Sequence, residues 1–293
     1  MNKTIDVATK EEVLIEALPY IQTYEGKTFV IKYGGAAMTD ELLKQTFAKD
    51  VTLLKKIGIN IVIVHGGGKE ITDVAAKLGI ETRFVNGQRY TDDKMIRVVL
   101  MVLAGAVNKE VVHLINQSGG NAIGLCGVDN TLLKARKLIS HGVDLGSVGS
   151  VVSVNTSFLQ MILGNGMMPV VAPLAVGEFG EILNVNADIA AAAVATALKA
   201  EKLVFLSDVE GILANGGLVS TLTETEARHM IDRGDIFGGM IPKVQSAFET
   251  LKAGVNKVHV VDGRVKHSLL LEIFTDEGIG TQMIHGSDES VSV

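Results

Sequence analysis

The chain has 293 residues, of which 47% are hydrophobic and 4% aromatic, enough to bury the core of one large or two medium domains. Its formal net charge is -6 without a basic run, which argues against nucleic acid or a membrane surface as partner. A single cysteine excludes an internal disulfide framework, and no Cys/His spacing predicts a zinc site. The N-terminus also lacks the order of a signal peptide, so we expect a cytoplasmic protein.

The first half of the chain predicts strands that alternate with helices. Residues 11–24 predict an amphipathic helix that contains Pro19 and either packs on its own domain or contacts another subunit. The elements that follow are strands at 28–31 and 59–64, helices at 40–57, 70–78 and 94–117, a strand at 122–125, antiparallel strands within 132–154, a helix at 154–163 and a strand at 169–175. This βαβ alternation predicts a parallel sheet.

The second half repeats the theme after a turn-rich segment at 176–181, where we place a domain boundary. Its predicted elements are helices at 187–200, 224–233, 242–253 and 268–274, with strands at 202–206 and 257–261 and a last short apolar run. The Ala-rich helix at 187–200 is too short to span a bilayer. The whole pattern predicts an α/β fold, a three-layer αβα sandwich around a mainly parallel sheet.

Two glycine-rich turns, Lys32-Tyr33-Gly34-Gly35 and His65-Gly66-Gly67-Gly68, each follow a buried strand and precede a helical stretch. Glycine lets the chain turn sharply and brings backbone N–H groups close to a ligand, while the following helix offers the positive end of its dipole. Two such turns predict that anionic groups of two reactants lie side by side at the carboxyl edge of one sheet.

The common nucleotide-binding patterns are absent. No Gly-x4-Gly-Lys-Ser/Thr occurs, and Gly66-x-Gly68 continues with Ile71 where the dinucleotide pattern needs Gly or Ala. Lysines beside glycines, the cluster Asn184-Val-Asn-Ala-Asp188 and the strand end Ser207-Asp208-Val209-Glu210-Gly211 remain. Phosphoryl transfer needs this combination of cations, backbone N–H groups and a positioned acceptor.

The motifs together resemble the amino acid kinase family, and within it the acetylglutamate kinase branch. The resemblance covers about residues 27–284 and is carried by Ile-Lys-Tyr-Gly-Gly, Val-His-Gly-Gly-Gly, Asn86-Gly-Gln-Arg-Tyr-Thr91, Asn184-Val-Asn-Ala-Asp188, Leu206-Ser-Asp-Val-Glu-Gly-Ile-Leu213 and Gly239-Met-Ile-Pro-Lys243. It implies ATP and N-acetyl-L-glutamate as substrates, an acyl phosphate as product, and a place in arginine synthesis.

The resemblance also implies roles for individual residues. Lys32 and Lys243 flank the transferred phosphoryl group and Asp188 orients both lysines. The remaining substrate residues are Gly35, Gly67 and Gly68, which donate N–H groups, and Arg89 and Asn184, which hold the α-carboxylate and the acetamido group. The implied nucleotide residues are Asp208, Val209, Glu210, Gly211, Ile212, Leu213, Asp235, Ile236 and Phe237. Mg²⁺ is implied only as an ion bound through the nucleotide phosphates, with no protein metal site.

A regulatory layer is implied by the two ends of the chain, which are similar to the arginine-inhibited subgroup of this branch. There, paired N-terminal helices join dimers into a hexamer. The implied arginine site comprises Tyr20, Lys202, His267, Glu272, Gly278 and Gly280. The implied domains are a helical extension at 1–26, an acetylglutamate-binding and dimerisation domain at 27–180, and a nucleotide-binding domain with the arginine site at 181–293.

Each assignment has a plainer alternative. Lys32 is also compatible with a solvated strand end, Arg89 with a surface turn, and Asp188 with a carboxylate that merely begins a helix. His65 is interpreted as structural. Rival functions are another amino acid kinase, which would need an acidic partner for a free amine, and a catalytically silent arginine sensor.

Overall fold

The computed structural model describes residues 7–286, except 141, 215, 239 and 276–277, and it gives the side chains from residue 15 onward. The helices are α1 Val7–Tyr24, α2 Glu41–Lys56, α3 Gly68–Lys77, α4 Asp93–Leu100, α5 Asn108–Gln117, α6 Thr156–Gly164, α7 Ala187–Leu198, α8 Glu224–Arg233, α9 Met240–Lys252 and α10 Ser268–Phe274.

The strands follow the predicted order, with several short additions. They are β1 Thr28–Tyr33, β2 Asn60–His65, β3 Phe84–Val85, β4 Gln88–Arg89, β5 Ala122–Cys126, β6 Leu133–Ser140, β7 Val143–Val154, β8 Met168–Ala172, β9 Leu174–Val176, β10 Ile182–Val185, β11 Lys202–Ser207, β12 Leu213–Ala214, β13 Gly217–Leu218, β14 Thr221–Leu222, β15 Lys257–Asp262 and β16 Thr281–Met283.

The central sheet has the order β14-β16-β15-β11-β1-β2-β8-β5, and its strand pairs are parallel except for β15 with β16. Successive residues of β1 and β2 point to opposite faces, so Val30 and Val62 join one buried cluster while Ile31 and Ile63 join the other. Each cluster is closed by a layer of helices. The predicted three-layer α/β fold with a mainly parallel sheet is therefore confirmed.

Smaller elements differ from the sequence prediction in instructive ways. The apolar run at 169–175 forms two strands rather than one, because Pro173, which lacks an N–H, lies between β8 and β9. Strands β9 and β10 form a hairpin around residues 177–181 and close a small barrel with β6 and β7. The segment at 176–181 thus connects two paired strands, and the proposed domain boundary there stays a prediction.

The predicted long helix at 94–117 is continuous from Asp93 to Gln117, but Met101–Val107 form a π-helical segment in its middle. By length and composition alone this helix could cross a membrane. In its most apolar stretch of 18 residues, 44% is buried inside the protein. Core helices of soluble proteins pass the same test, and this one packs on β5 and β8. The π segment widens the helical turn just before Asn108.

Candidate active site

The two glycine turns leave the sheet side by side. Strands β1 and β2 are parallel neighbours in register, with Tyr33 opposite His65, so Gly34 and Gly66 begin their turns at the same carboxyl edge. The Gly66 N–H donates to the carbonyl of Tyr33 at 2.8 Å, which ties the turns together. The sequence prediction of two adjacent turns at one sheet edge agrees with this geometry.

Two lysines meet one carboxylate at this edge. The Nζ atom of Lys32, in β1, lies 3.0 Å from Oδ1 of Asp188, and Nζ of Lys243, in the first turn of α9, lies 3.9 Å from Oδ2. Asp188 is free for these contacts because Asn186, not Asp188, caps α7 by accepting the N–H groups of Asp188 and Ile189. The alternative of a carboxylate that only begins a helix does not describe this geometry.

The groups around Lys243 shift the pKa of its ammonium in opposite directions. Burial lowers the pKa of Lys243, the nearby Asp188 carboxylate raises it, and the Lys32 ammonium lowers it further. Nζ of Lys243 also lies 3.3 Å from the hydroxyl of Ser207. Ser207 belongs to one of the sequence motifs, but the sequence analysis gave it no role. A lysine near the positive end of a helix is unfavourable by itself, and the carboxylate compensates for that position.

The glycines are required by the shape of the turns. Gly35 has φ +67° and Gly67 has φ +151°, which side chains rarely adopt. A Cβ on Gly35 would collide with the carboxylate of Asp208, and one on Gly67 would meet Leu103. Asp208 accepts a short hydrogen bond from the backbone N–H of Ala36. This turn therefore bonds Asp208 through the backbone N–H of residue 36.

A cavity of about 290 Å³ opens in front of both turns. Its walls include Lys32, Gly35, Gly67, Gly68, Arg89, Asn184 and Asp188. These are all of the residues that the sequence assigned to acetylglutamate and to catalysis, apart from Lys243, which reaches the cavity through Asp188. The structure thus brings together residues that lie more than 150 positions apart in the chain.

Arg89 is a buried cation in the wall of the cavity. Its Nη2 donates to the carbonyl of Gly68 at 2.7 Å and to Thr72 at 2.9 Å, and its guanidinium lies 4.8 Å from the ring of Phe84. Burial lowers its pKa. In the described part of the chain no carboxylate lies within 4 Å of this guanidinium, so its charge is available to an anionic ligand.

The amide of Asn184 is held in place by Thr91. Its Nδ2 donates to the Thr91 hydroxyl at 3.2 Å, and that hydroxyl donates to the carbonyl of Arg89 at 2.9 Å. The bridge links the second predicted substrate residue to the first. Thr91 and Thr72 were not singled out from the sequence, although Thr91 ends the Asn-Gly-x-Arg-Tyr-Thr motif that carried the resemblance.

The predicted nucleotide residues lie beyond β11, on the other side of the lysine cluster. Asp208, Val209, Glu210 and Leu213 are exposed, while Gly211 and Ile212 are buried and the N–H of Ile212 donates to Thr281 at 2.8 Å. Ile236 is buried in the same hydrophobic cluster as Ile212, whereas Phe237 is exposed. Asp235 pairs with Arg233 at 2.9 Å. Gly239, from the last motif, lies outside the described residues.

A second buried polar cluster joins most of the residues assigned to arginine. Oε1 of Glu272 lies 2.6 Å from Nδ1 of His259, whose Nε2 lies 3.3 Å from Nζ of Lys202. The N–H groups of Ile279 and Gly280 donate to Oε2 of Glu272 at 2.8 and 2.9 Å. A side chain on Gly278 would crowd the same carboxylate.

Sequence reasoning missed His259 in this cluster. The available signal was a single histidine that interrupts the apolar strand β15. Burial lowers its pKa to about 4, and burial also lowers the pKa of Lys202 to about 8. Burial alone would raise the pKa of Glu272, but hydrogen bonds from His259 and two backbone N–H groups lower it.

The two remaining arginine assignments lie at the edge of this cluster. Tyr20 stacks on Tyr24, whose ring lies 4.8 Å from Nζ of Lys202. His267, just before α10, instead pairs with Asp50 of α2 at 2.6 Å. The structure thus brings Tyr20 near the cluster through Tyr24, while the contact of His267 is to a different helix.

Comparisons with known proteins agree with this architecture. The sequence profile of the amino acid kinase family matches residues 27–262. Acetylglutamate kinase of Chlorobaculum tepidum is 54% identical over 273 residues, covering 93% of this chain and 95% of that protein. Acetylglutamate kinase of Caldicellulosiruptor saccharolyticus is 52% identical over 292 residues, covering 97% and 98%.

Solved structures give the same result. N-acetylglutamate synthase from Neisseria gonorrhoeae, in complex with coenzyme A and L-arginine, superposes with a TM-score of 0.80 at 27% identity, covering 94% of this chain but only 65% of that longer one. Carbamate kinase from Giardia shares the fold, with a TM-score of 0.64 at 15% identity over 88% of this chain and 99% of that one. With more than half its length matched by the family profile and relatives above 50% identity, the chain belongs to the amino acid kinase family, in its acetylglutamate kinase branch.

Proposed function

We propose that this chain transfers the γ-phosphoryl group of ATP to the side-chain carboxylate of N-acetyl-L-glutamate, giving N-acetyl-L-glutamyl 5-phosphate and ADP for arginine synthesis. The observation that carries the proposal is the Asp188 carboxylate between Lys32 and Lys243, directly in front of two glycine turns. Two anionic reactants can meet there only if their charge is neutralised locally, since the chain itself is acidic.

In the transfer, a carboxylate oxygen of acetylglutamate forms a bond to the γ-phosphorus while the bond from that phosphorus to the bridging oxygen of ADP breaks. Lys32 and Lys243 neutralise the negative charge on the equatorial oxygens and on the leaving oxygen. The N–H groups of Gly35, Gly67 and Gly68 hold the phosphoryl group and the attacking carboxylate. Asp188 keeps both ammonium groups at the reaction centre without itself reacting.

Substrate selection follows from the cavity wall. Arg89 presents a guanidinium fork that can bind the α-carboxylate bidentately, and its two backbone and hydroxyl contacts fix the plane of that fork. The amide of Asn184, oriented by Thr91, holds the acetamido group. A free amine would need an acidic partner in this wall, whereas Asp188 already pairs with two lysines, and this favours the acetylated substrate.

The nucleotide occupies the neighbouring edge, where residues 208–213 and 235–237 hold adenine and ribose. Mg²⁺ would enter with ATP, held by the nucleotide phosphates, and would supply neutralisation of the charge on the leaving group. The Asp188 carboxylate already pairs with two lysines. This pairing fits a Mg²⁺ ion that is held by the nucleotide phosphates rather than by this side chain. Within the main sheet, β1, β2, β5 and β8 come from residues 27–180 and β11, β14, β15 and β16 come from residues 181–293, which supports an acetylglutamate domain and a nucleotide domain.

The decisive experiment is trapping of the acyl phosphate with hydroxylamine in the presence of ATP and Mg²⁺. Acetylglutamate, glutamate and aspartate are compared at equal concentration. We expect hydroxamate from acetylglutamate and a rate at least about 100-fold lower from the free amino acids, since their ammonium group meets no anion. A faster reaction of glutamate overturns the substrate, and no reaction of any acceptor would leave the silent arginine sensor as the function.

We also propose that L-arginine inhibits the reaction by binding at the cluster of Lys202, His259 and Glu272. The Glu272 carboxylate can accept charge-assisted hydrogen bonds from a guanidinium. The N–H groups of Ile279 and Gly280 that donate to it lower its pKa and so favour the ionised form that a guanidinium needs. A structural relative, the synthase described above, was solved with L-arginine bound. Glu272→Gln should raise the arginine concentration for half-inhibition at least about 10-fold without lowering uninhibited kcat.

The role of His267 is tested in the same assay. His259→Asn should weaken inhibition if the buried cluster is the site. His267→Asn should do so only if the predicted assignment of this residue also holds. Unchanged inhibition in both histidine variants and in Glu272→Gln would remove the arginine site from this part of the fold.

Assembly into a hexamer, a trimer of dimers joined by paired N-terminal helices, remains our proposal for the quaternary structure. Its support is the exposure of Ile15 and Leu18 on α1, which leaves apolar side chains for a partner helix. The double variant Ile15→Glu, Leu18→Glu should lower the particle mass measured by light scattering. Leu42→Glu, at an equally exposed leucine of α2, is the control and should leave the mass unchanged.

A reducing cytoplasm stays our prediction for the compartment.

A further inference from the structure

A buried hydrogen-bond network lies directly behind the second glycine turn. His65, the last residue of β2, is fully buried, and its Nδ1 lies 2.7 Å from the carbonyl oxygen of Gly66. On the other side of the ring, Nε2 lies 3.2 Å from Nδ2 of Asn108, which is also fully buried. Neither side chain has a part in the transfer described above.

The partners determine where each proton lies. A carbonyl oxygen can only accept, so Nδ1 of His65 carries the hydrogen that it donates to Gly66, and Nε2 is left to accept from the amide of Asn108. Nδ2 of Asn108 also lies 2.8 Å from the carbonyl of Val170, which requires a nitrogen at that position. Burial lowers the pKa of His65 to about 4, so the ring is neutral near pH 7.

The shape of the chain around Asn108 brings it to this place. The π-helical segment ends at Val107, and Leu103 and Val107 of that segment pack against Gly67. On the opposite side, Gly124 of β5 has no Cβ, and one added there would collide with the amide of Asn108. A widened helical turn and a strand glycine therefore both serve the approach of one asparagine to the ends of three strands.

We propose that His65 and Asn108 are positioning residues that fix the peptide between Gly66 and Gly67, so that its N–H group faces the phosphoryl acceptor. In a trans peptide the C=O and N–H groups point in opposite directions. His65 holds the Gly66 carbonyl toward the protein interior, and the Gly67 N–H must then point away from it, where Gly67 lines the cavity. A peptide between two glycines turns over with little steric cost, so a hydrogen bond is what holds it.

The inference rests on the proposed function, and two near-isosteric variants test it. His65→Asn places an amide nitrogen close to the Nδ1 position and keeps the donor to Gly66. His65→Gln places its amide near Nε2 and keeps the contact to Asn108 but loses that donor. We expect kcat in the hydroxylamine assay to fall by about 10- to 100-fold in His65→Gln and by less than about threefold in His65→Asn, with KM for ATP unchanged in both.

A second route reaches the same network from behind the sheet. Gly124→Ala should displace Asn108 and lower kcat, whereas in an Asn108→Ala background the same alanine should cost nothing further. Asn116→Ala is the control, because Asn116 lies on the same helix and bonds the backbone of Ala122 at the opposite end of β5. It should lower thermal stability and leave kcat unchanged.

The outcomes separate this inference from the proposed function. If wild-type protein makes no hydroxamate from acetylglutamate, the function is wrong. If wild-type protein is active and His65→Gln matches His65→Asn, the peptide is not held by His65. Should His65→Gln fail to fold, equal costs of Gly124→Ala with and without Asn108 would overturn the proposal, and non-additive costs would support it.

Discussion

Replacement of Asp188 by asparagine is the sharpest test of the lysine cluster. The carboxylate lies 3.0 Å from Lys32 and 3.9 Å from Lys243. With an effective dielectric constant of about 20, Coulomb's law gives about 5.5 kcal/mol for the nearer pair and about 4 kcal/mol for the farther one. About a third of the Asp188 side chain is exposed, so solvent screening leaves roughly 1–2 kcal/mol for each.

That free energy holds two mutually repelling ammonium groups at the reaction centre. Asp188→Asn removes both ion pairs, which together contribute about 3 kcal/mol. If the transition state loses this free energy, kcat falls by about 100-fold. The pH dependence changes as well. Because the carboxylate raises the pKa of Lys243, its removal lowers that pKa, so activity should be lost at a lower pH on the basic side.

The assay is steady-state hydroxamate formation between pH 6 and 10. Glu224→Gln is the matched control, since Glu224 also lies between two cations, Arg228 and Lys252, and its side chain is 30% exposed against 31% for Asp188. It removes the same charge outside the cavity and should leave kcat unchanged. Retention of more than a third of wild-type kcat in Asp188→Asn, with an unmoved basic limb, would refute the reasoning.

The other predictions concern substrate binding and stability in acid. Arg89→Lys should raise KM for acetylglutamate by about 10- to 100-fold and leave KM for ATP unchanged, because an ammonium cannot replace the guanidinium fork; equal changes in both constants would contradict this assignment. Burial lowers the pKa of His65 and of His259 to about 4, below the value of 6.5 for the unfolded chain. The unfolded state therefore binds more protons in this window, and the free energy of unfolding, measured with urea, should fall by up to about 1.4 kcal/mol per pH unit for each histidine as the pH drops from 6.5 to 4. His259→Asn should remove a large part of this slope, the exposed His229→Asn should not, and equal slopes in all three proteins would rule out this origin.

The sequence predicted most of the fold because the strands and turns are locally encoded. Short Val- and Ile-rich runs followed by glycine placed β1 and β2 and their turns, and periodic apolar residues placed α2 and α8 to within a residue or two. The prediction overlooked that Pro173 interrupts a strand, and this residue divides the single predicted strand into β8 and β9. Helix propensity alone could not reveal the π segment, since its residues are as apolar as those of an ordinary helix.

The candidate site was less accessible to sequence reasoning. Lys32 was identifiable from its strand and its glycines, but its pairing with Asp188 depends on how α7 packs against β1, a contact between distant segments. Lys243 was named because the resemblance implied it, and the structure supplies the carboxylate that offsets the unfavourable position of this lysine near the positive end of α9. His259 was missed because a single buried histidine in a strand gives no periodic signal. His267 was named because the resemblance implied it, and its part in binding arginine stays a prediction.

The geometry also explains why the cluster is built from both halves of the sheet. Lys32 and the glycine turns belong to the half to which we assign the acceptor, whereas Lys243 and Asp208 belong to the half to which we assign ATP. Asp208 bonds the N–H of Ala36 and Asp188 bonds Lys32, so the two halves are joined at the reaction centre itself. The proposed reactants bring further negative charge to the same two lysines. Lys32 and Lys243 are paired with Asp188 in the free protein, and we expect that carboxylate to keep both ammonium groups in position when the γ-phosphoryl group and the acceptor carboxylate bind.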